Sequence, residues 1–308
     1  MAKPVPKVRT IVTDDGVPID AAHLPGDQSL AFVLAHGFSQ NWQRPVVWKV
    51  ATRLNRHGGV ITFDFRGHGR SGGVSTLGDK EIKDVDVAVG YARELGYSRI
   101  VTIGFSMGAS IVLRHAALIG GSDAVISVSG PGQWYYRDTR QMRLVHLAVE
   151  NRIGRLFSRH FLKIRITNQA WDPIPMPPAE AAARVSPTPL LVVHGELDNF
   201  FPVEHARRIY DAAAEPKELW IVPGFGHAER WAGPELLDRI AAWSRSATGL
   251  ESAPAAAAAG SGPAAAPGAA APGGADRSAD RTSVKAAAGE AIEAAGASAR
   301  PDGEAGPG

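Results

Sequence analysis

Short apolar runs alternate with longer segments of helical periodicity over the first half of the chain. Four runs are rich in apolar and β-branched residues and have strand length: Leu30–Ala35, Val60–Phe63, Arg99–Phe105 and Ala124–Val128. Three intervening segments carry apolar residues near helical spacing: 44–56, 79–95 and 106–119. Nearly continuous apolarity is typical of strands buried on both faces of a parallel sheet. The alternation therefore predicts βαβ units and an α/β fold with a doubly wound, mostly parallel sheet.

The amino-terminal residues predict a different kind of strand pair. Val8–Thr13 and Val17–Ala22 have strand-like alternation and are separated by Asp14-Asp15-Gly16. Asp-Gly between two such runs is typical of a β-hairpin. We expect this hairpin to form an antiparallel edge of the sheet.

The strand and helix pattern is interrupted in the middle of the chain. Between Gly130 and Pro187 it is lost, although Thr139–Phe157 has helical spacing. It then resumes with two strands and two helices: Pro189–Val193, 203–213, Lys217–Val222 and 234–245. An interruption of this length exceeds an ordinary connection. We interpret residues from about 131 to 187 as a mainly helical cap insertion in one domain, residues 5–247.

Composition changes near residue 248. Residues 248–308 are mainly Ala, Gly, Pro and Ser with scattered charges, and they contain almost no large apolar side chain. Such a segment cannot bury enough apolar surface to offset the entropy lost on folding. The sequence predicts a disordered tail there.

Charge and composition narrow the function. The formal net charge of +2 gives no support for nucleic-acid binding, and the chain has no cysteine for disulfides or thiolate sites. The first ten residues lack an apolar segment of signal-peptide length, and no apolar run approaches membrane-spanning length, so a cytoplasmic location is expected. Metal-binding and dinucleotide-binding motifs are absent, so neither a metal nor a cofactor is expected.

Ser106 lies in the sequence Gly104-Phe-Ser-Met-Gly108, between a predicted strand and a predicted helix. Gly-x-Ser-x-Gly at such a junction is typical of a nucleophile elbow, a turn so sharp that the serine is strained. It would expose the Ser106 hydroxyl at a helix N-terminus, where amide N–H groups favour developing negative charge. A simple helix N-cap is the alternative role for this serine.

Polar side chains follow several other strands as well. In an open parallel sheet, functional groups collect at the carboxyl ends of the strands. A serine, a carboxylate and a histidine are thereby predicted on loops at one edge, in the chain order Ser106, Asp198, His227. This is one of three known orders for such residues in serine hydrolases. Two acids compete with Asp198, namely Glu196 and, more remotely, Asp172 in the insertion.

Five motifs, spread in order across about residues 8–246, carry a family resemblance. They are His36-Gly37-Phe38, Asp64-Phe-Arg66-Gly67-His68-Gly69-Arg-Ser71-Gly72, Gly104-Phe-Ser106-Met-Gly108, His194-Gly195-Glu-Leu-Asp198 and Gly226-His227. The chain resembles α/β-hydrolase-fold serine hydrolases and is similar to the branch that contains monoacylglycerol-lipase-like and serine-aminopeptidase-like enzymes. It departs from that branch at Phe105, where its lipases often have histidine.

The resemblance implies a role for each site residue. Ser106 would be the nucleophile, His227 the general base and Asp198 the acid that orients the imidazole. The backbone N–H groups of Phe38 and Met107 would form the oxyanion hole. Three histidines in the motifs and one acid are instead expected to form turns: His36, His68, His194 and Asp64.

The implied activity is cofactor-free hydrolysis of small or medium acyl esters, including monoacylglycerol-like lipids, through an acyl-Ser106 intermediate. The alternatives are an acyltransferase, a thioesterase or an aminopeptidase-type amidase on the same residues, or a ligand-binding protein of the same fold.

Between Gln133 and Arg165 the insertion carries eight cations and two acids, which indicates a solvated helix face or, alternatively, a surface that attracts anionic substrates. The sequence neither supports nor excludes contact with a membrane surface, and it predicts no oligomeric state.

Overall fold

The computed structural model describes residues 5–250, in which eight strands form one sheet. The strands are β1 Lys7–Val12, β2 Pro18–Leu24, β3 Leu30–Ala35, β4 Gly59–Phe63, β5 Arg99–Phe105, β6 Ala124–Val128, β7 Leu190–Gly195 and β8 Lys217–Val222. Each predicted strand is present, and every end agrees with the prediction within two residues. Residues 251–308 of the predicted tail lie outside the described residues, but its first residues are described, and there Thr248 is buried and Leu250 packs against the core.

The sheet has the strand order β1-β2-β4-β3-β5-β6-β7-β8. β2 pairs antiparallel with β1 and β4, and every other pairing is parallel. The predicted antiparallel amino-terminal edge and parallel centre are therefore confirmed. Because β3, β5 and β6 are neighbours, the loops after them meet at one edge of the sheet.

Nine α-helices lie between or after these strands in the described part of the chain. They are α1 Pro45–Leu54, α2 Ile82–Glu94, α3 Met107–Leu118, α4 Arg140–Glu150, α5 Arg152–Phe157, α6 Pro178–Ala182, α7 Val203–Ala212, α8 Ala228–Trp231 and α9 Pro234–Ala247. Two separate apolar cores result, one containing side chains of α2, α3 and α7, the other side chains of α1 and α9. Helices on both faces bury the central strands completely, which explains their continuous apolarity.

The long helix expected over residues 139–157 is divided. α4 ends before Asn151, whose backbone is extended and whose side chain accepts the N–H of Ile153 to start α5. A π-helical turn, Ser158–Leu162, follows α5. Asparagine favours such caps over helix interiors because its side chain competes for backbone hydrogen bonds. Apolar periodicity alone passes over this break, and the short helices α6 and α8 were not predicted.

The insertion between β6 and β7, hereafter the cap, is fastened to loops at the carboxyl edge of the sheet. Arg165 donates its backbone N–H to Gly67 at 2.8 Å, and its carbonyl accepts the N–H of Ser75 at 2.7 Å. At the other side, the Thr139 hydroxyl donates to the carbonyl of Phe200 at 2.9 Å. These contacts hold the cap to the loops that follow β4 and β7.

Phe32 tests how strongly the sheet core stabilises the fold. Its ring is fully buried in the core beside α1 and α9. We expect Phe32→Ala to lower the free energy of unfolding by about 3–5 kcal/mol, because it removes apolar burial and leaves a cavity. Phe161→Ala is the matched control, since that ring is 62% exposed and should cost about 1 kcal/mol or less. Urea unfolding of both variants measures the difference, and equal losses would contradict it.

Candidate active site

Ser106 lies at a sharp turn between β5 and α3. Its φ of 52° and ψ of −112° lie outside the regions that most residues adopt. A Cβ on Gly104 would collide with the carbonyl of Gly108, and one on Gly108 would collide with the carbonyl of Ala35. Glycine is thus required on both sides of the turn, as the motif implied. The serine side chain stays partly accessible at the carboxyl edge of the sheet.

Ser106, His227 and Asp198 form one continuous chain of hydrogen bonds. The Nε2 atom of His227 lies 2.9 Å from the Oγ atom of Ser106, and its Nδ1 atom lies 2.8 Å from Oδ2 of Asp198. Because a carboxylate only accepts, Nδ1 carries the proton and Nε2 is left to accept from the Ser106 hydroxyl. The three residues come from loops after β5, β7 and β8, as the sequence predicted.

The Asp198 carboxylate is fully buried and well provided with donors. Its Oδ1 atom accepts the N–H groups of Phe200 at 2.9 Å and Phe201 at 3.0 Å. Burial alone would raise the pKa of Asp198, but the hydrogen bond and charge of His227, with lesser help from His194, hold that pKa below its ordinary value. Asp198 is therefore ionised at neutral pH.

The two competing acids do not reach the histidine. Glu196 and Asp172 are both exposed, and neither makes a hydrogen bond or ion pair with His227 among the described contacts. Asp64, expected to be a turn residue, accepts the backbone N–H groups of Trp42 at 2.8 Å and Arg70 at 2.9 Å. Burial raises the pKa of Asp64 to about 6.

The loop after β3 lies directly beside Ser106. A Cβ placed on Gly37 would be 3.4 Å from the Cβ of Ser106. The next residue is Phe38, and within residues 5–250 neither its N–H nor that of Met107 donates to a protein acceptor. Both predicted oxyanion donors are thus unpaired in the described part of the chain.

His36 shapes this loop as a neutral side chain. Its Nε2 atom accepts the N–H of Phe65 at 3.1 Å, so its Nδ1 atom carries the proton and donates to the carbonyl of Gly37 at 2.8 Å. Burial, with the nearby His68, lowers the pKa of His36 to about 3. His36 therefore fixes the turn, as its motif implied.

Three residues near the site were not singled out from the sequence. The Phe200 ring stacks on the His227 imidazole, with centroids 4.2 Å apart and planes 22° apart. The hydroxyl of Ser129 accepts the N–H of Ala228 at 3.1 Å and holds the histidine loop. Glu229 is buried and accepts the N–H of Gly37 at 2.7 Å. The only sign of them in the sequence was their position: Phe200 and Glu229 come two residues after Asp198 and His227, and Ser129 directly follows β6.

Two arginines of the cap form hydrogen bonds with the backbone of the cap itself. Arg143 donates to the carbonyls of Arg137 and Asp138, and Arg155 donates to those of Val149 and Glu150. These contacts engage two of the eight cap cations, and both interpretations of the cap charge, a solvated helix face and a surface that attracts anionic substrates, stay predictions.

Two kinds of feature are not found in the part of the chain that the structure describes: a metal-binding cluster and a membrane-spanning helix. Within residues 5–250, no three His, Asp or Glu side chains are grouped as a metal ion would require. No helix in that range is both long and apolar enough to cross a membrane.

A mostly parallel sheet with a serine at a strand-to-helix elbow and a histidine and an acid on later loops defines the α/β-hydrolase class. The chain belongs to the alpha/beta hydrolase family, whose family model matches residues 32–301.

Individual relatives agree with this membership. The chain is 30% identical over 252 residues to the monoacylglycerol lipase of Mycolicibacterium smegmatis, a match that covers 68% of this chain and 86% of that protein. It is 27% identical over 218 residues to the uncharacterized protein YfhR of Escherichia coli O157:H7, covering 68% of this chain but 66% of the relative, just under two thirds of its length. An esterase of Pyrococcus furiosus shares the fold with a TM-score of 0.63 at 23% identity, over 79% of this chain and 92% of that one.

Proposed function

We propose that the protein is a serine hydrolase that cleaves carboxylic esters through an acyl-serine intermediate on Ser106. The observation that carries the proposal is the hydrogen-bond chain from the Ser106 hydroxyl through His227 to the buried Asp198 carboxylate. A serine hydroxyl is a weak nucleophile, and this arrangement supplies the base that it needs. Similarity to a monoacylglycerol lipase supports an ester as the bond attacked.

Acylation begins when the Ser106 oxygen attacks the ester carbonyl. His227 Nε2 takes the hydroxyl proton as the new C–O bond forms, and the carbonyl electrons move onto the oxyanion. When the tetrahedral species collapses, the bond to the leaving alkoxide breaks and His227 returns the proton to it. Water then attacks the acyl-Ser106 ester with the same base, which releases the carboxylic acid and restores the serine. Ionised Asp198 stabilises the imidazolium in both halves.

The oxyanion is stabilised by backbone N–H groups. Phe38 and Met107 supply them, and both are free of protein acceptors within residues 5–250. A fixed donor is already oriented for the charge that develops in the transition state, so little reorganisation is needed. Removing one such donor costs roughly 10²–10³ in kcat in serine hydrolases.

Small and medium acyl esters, including monoacylglycerol-like lipids, are the substrate class to test first. We expect p-nitrophenyl esters to be hydrolysed with a higher kcat/KM than the matching thioesters and anilides. Added alcohols should compete weakly with water for the acyl group. A panel of short to long acyl chains, with product analysis by mass spectrometry, measures both. Preferred thioester or anilide cleavage, or acyl transfer to alcohol as the main outcome, would replace ester hydrolysis by the corresponding alternative activity, and no turnover at all would favour a ligand-binding protein.

A further inference from the structure

Glu229 is a buried carboxylate that the proposed mechanism does not use. It lies in the short helix α8, two residues after His227, and its residue surface is 4% exposed. Its Oε1 atom accepts the backbone N–H of Gly37 at 2.7 Å, across 192 positions of sequence. A buried carboxylate is costly unless it has specific partners. This contact therefore joins the histidine loop to the loop that carries Phe38.

The contact sits at a crowded point of the site. A Cβ placed on Gly37 would lie 3.4 Å from both carboxylate oxygens of Glu229 and 3.4 Å from the Cβ of Ser106. The Glu229 carboxylate and the predicted nucleophile therefore both lie close to the backbone of Gly37. A shift of this loop would change the distance between Ser106 and the neighbouring backbone donors.

Both peptide groups of Gly37 are held by side chains or neighbouring backbone. Glu229 holds the N–H of the peptide between His36 and Gly37. In the next peptide, the carbonyl of Gly37 accepts from His36 Nδ1 at 2.8 Å and from the N–H of Gln40 at 3.2 Å. Because the N–H of a trans peptide points opposite to its carbonyl, fixing these two planes fixes the direction of the Phe38 N–H.

We propose that Glu229 is a positioning residue that directs the Phe38 N–H toward the oxyanion by holding the Gly37 amide. This inference rests on the proposed serine hydrolase function. Because Glu229 is buried, it acts through the backbone of Gly37. Its effect therefore belongs to the transition state, where the oxyanion forms, more than to substrate binding.

The requirement is for an acceptor at this position. Burial raises the pKa of Glu229, whereas its hydrogen bonds to backbone N–H groups and the nearby His227 oppose that rise. A glutamine amide carries a carbonyl oxygen at nearly the same place and can accept the Gly37 N–H without charge. Methionine has a similar length and only a weak sulfur acceptor.

Kinetics of Glu229→Gln and Glu229→Met on a p-nitrophenyl ester test the inference. We expect Glu229→Met to lower kcat by about 10–100-fold with KM changed less than about threefold, a partial loss of one oxyanion donor. Glu229→Gln should keep kcat within about threefold of the wild type, because its amide oxygen preserves the contact. If Glu229→Met does not fold, Glu229→Asp, whose shorter side chain withdraws the acceptor, carries the same expectation. Wild-type kcat in the Met or Asp variant, or equal losses in the Gln and Met variants, would overturn the proposal.

The Gly37 amide gives a second readout that does not require activity. In ¹⁵N-glycine-labelled protein, the Gly37 resonance is identified by its absence in Gly37→Ala. We expect its proton signal to move upfield and to exchange faster with solvent in Glu229→Met, while Glu229→Gln stays closer to the wild type, because a short bond to a carboxylate is lost in the first variant. An unchanged signal in Glu229→Met would overturn the positioning role. If the wild type cleaves no ester and takes up no fluorophosphonate, the proposed function fails instead, and the amide signal still decides whether Glu229 holds the loop.

Discussion

Ser106→Ala is expected to lower kcat for ester hydrolysis by about 10⁶-fold, the loss found when a serine hydrolase is deprived of its nucleophile. The variant keeps the fold, because the Ser106 side chain is partly accessible and caps no N–H of α3. Only the acyl-enzyme route is removed. The measurement is initial rate on the best ester of the panel, with labelling by a fluorophosphonate probe followed on a gel.

Ser110→Ala is the matched control. Ser110 lies one turn further along α3, and its buried hydroxyl has no hydrogen-bond partner within the described residues. This variant should be labelled and should turn over ester like the wild type. Equal labelling of wild type and Ser106→Ala would mean that another nucleophile reacts, and the proposed role of Ser106 would be wrong.

The central sheet could be predicted because each of its strands is marked by its own run of apolar residues. β3, β5, β6 and β8 have the predicted bounds, since an unbroken apolar run between turn residues has few alternatives to a buried strand. Helix ends were less predictable. α2 begins at Ile82 instead of residue 79 because the buried Glu81 side chain accepts the N–H groups of Thr76 and Gly78 and organises a turn there. Such a contact is not visible in apolar spacing.

The candidate site likewise contains residues that the sequence predicts and one that it does not. Ser106, Asp198 and His227 could be proposed because each follows a strand whose position in the sheet is predictable. Glu229 could not, because its importance depends on a contact with Gly37 that exists only once α8 packs beside the β3 loop. The folded loop buries the side chain of the predicted acid, Asp198, and exposes its competitor Glu196, a difference that spacing in the sequence does not show.

Asp198→Asn is expected to lower kcat by about 10⁴-fold, as loss of the orienting carboxylate does in serine hydrolases. Asparagine can still accept the N–H of Phe200 or Phe201 through its oxygen, so the loop should keep its shape. If its NH₂ group faces His227, it donates to Nδ1, which places the imidazole proton on Nε2, where the base for Ser106 is needed. The imidazolium also loses the negative charge that stabilises it. Both effects act on the chemical step, so KM should change far less than kcat.

Glu196→Gln separates this effect from a general loss of charge in the loop after β7. Glu196 is exposed and two residues away, so its substitution should leave kcat within about twofold of the wild type. Ionised Asp198 is held by His227 and two backbone N–H groups, so it also stabilises its loop. Circular dichroism and thermal unfolding of Asp198→Asn should therefore be recorded alongside the kinetics, to separate a loss of folding from a loss of catalysis. A folded Asp198→Asn variant with near wild-type kcat, together with an inactive Glu196→Gln variant, would transfer the orienting role to Glu196. We expect the opposite result because the buried Asp198 carboxylate, and not Glu196, lies 2.8 Å from Nδ1 of His227.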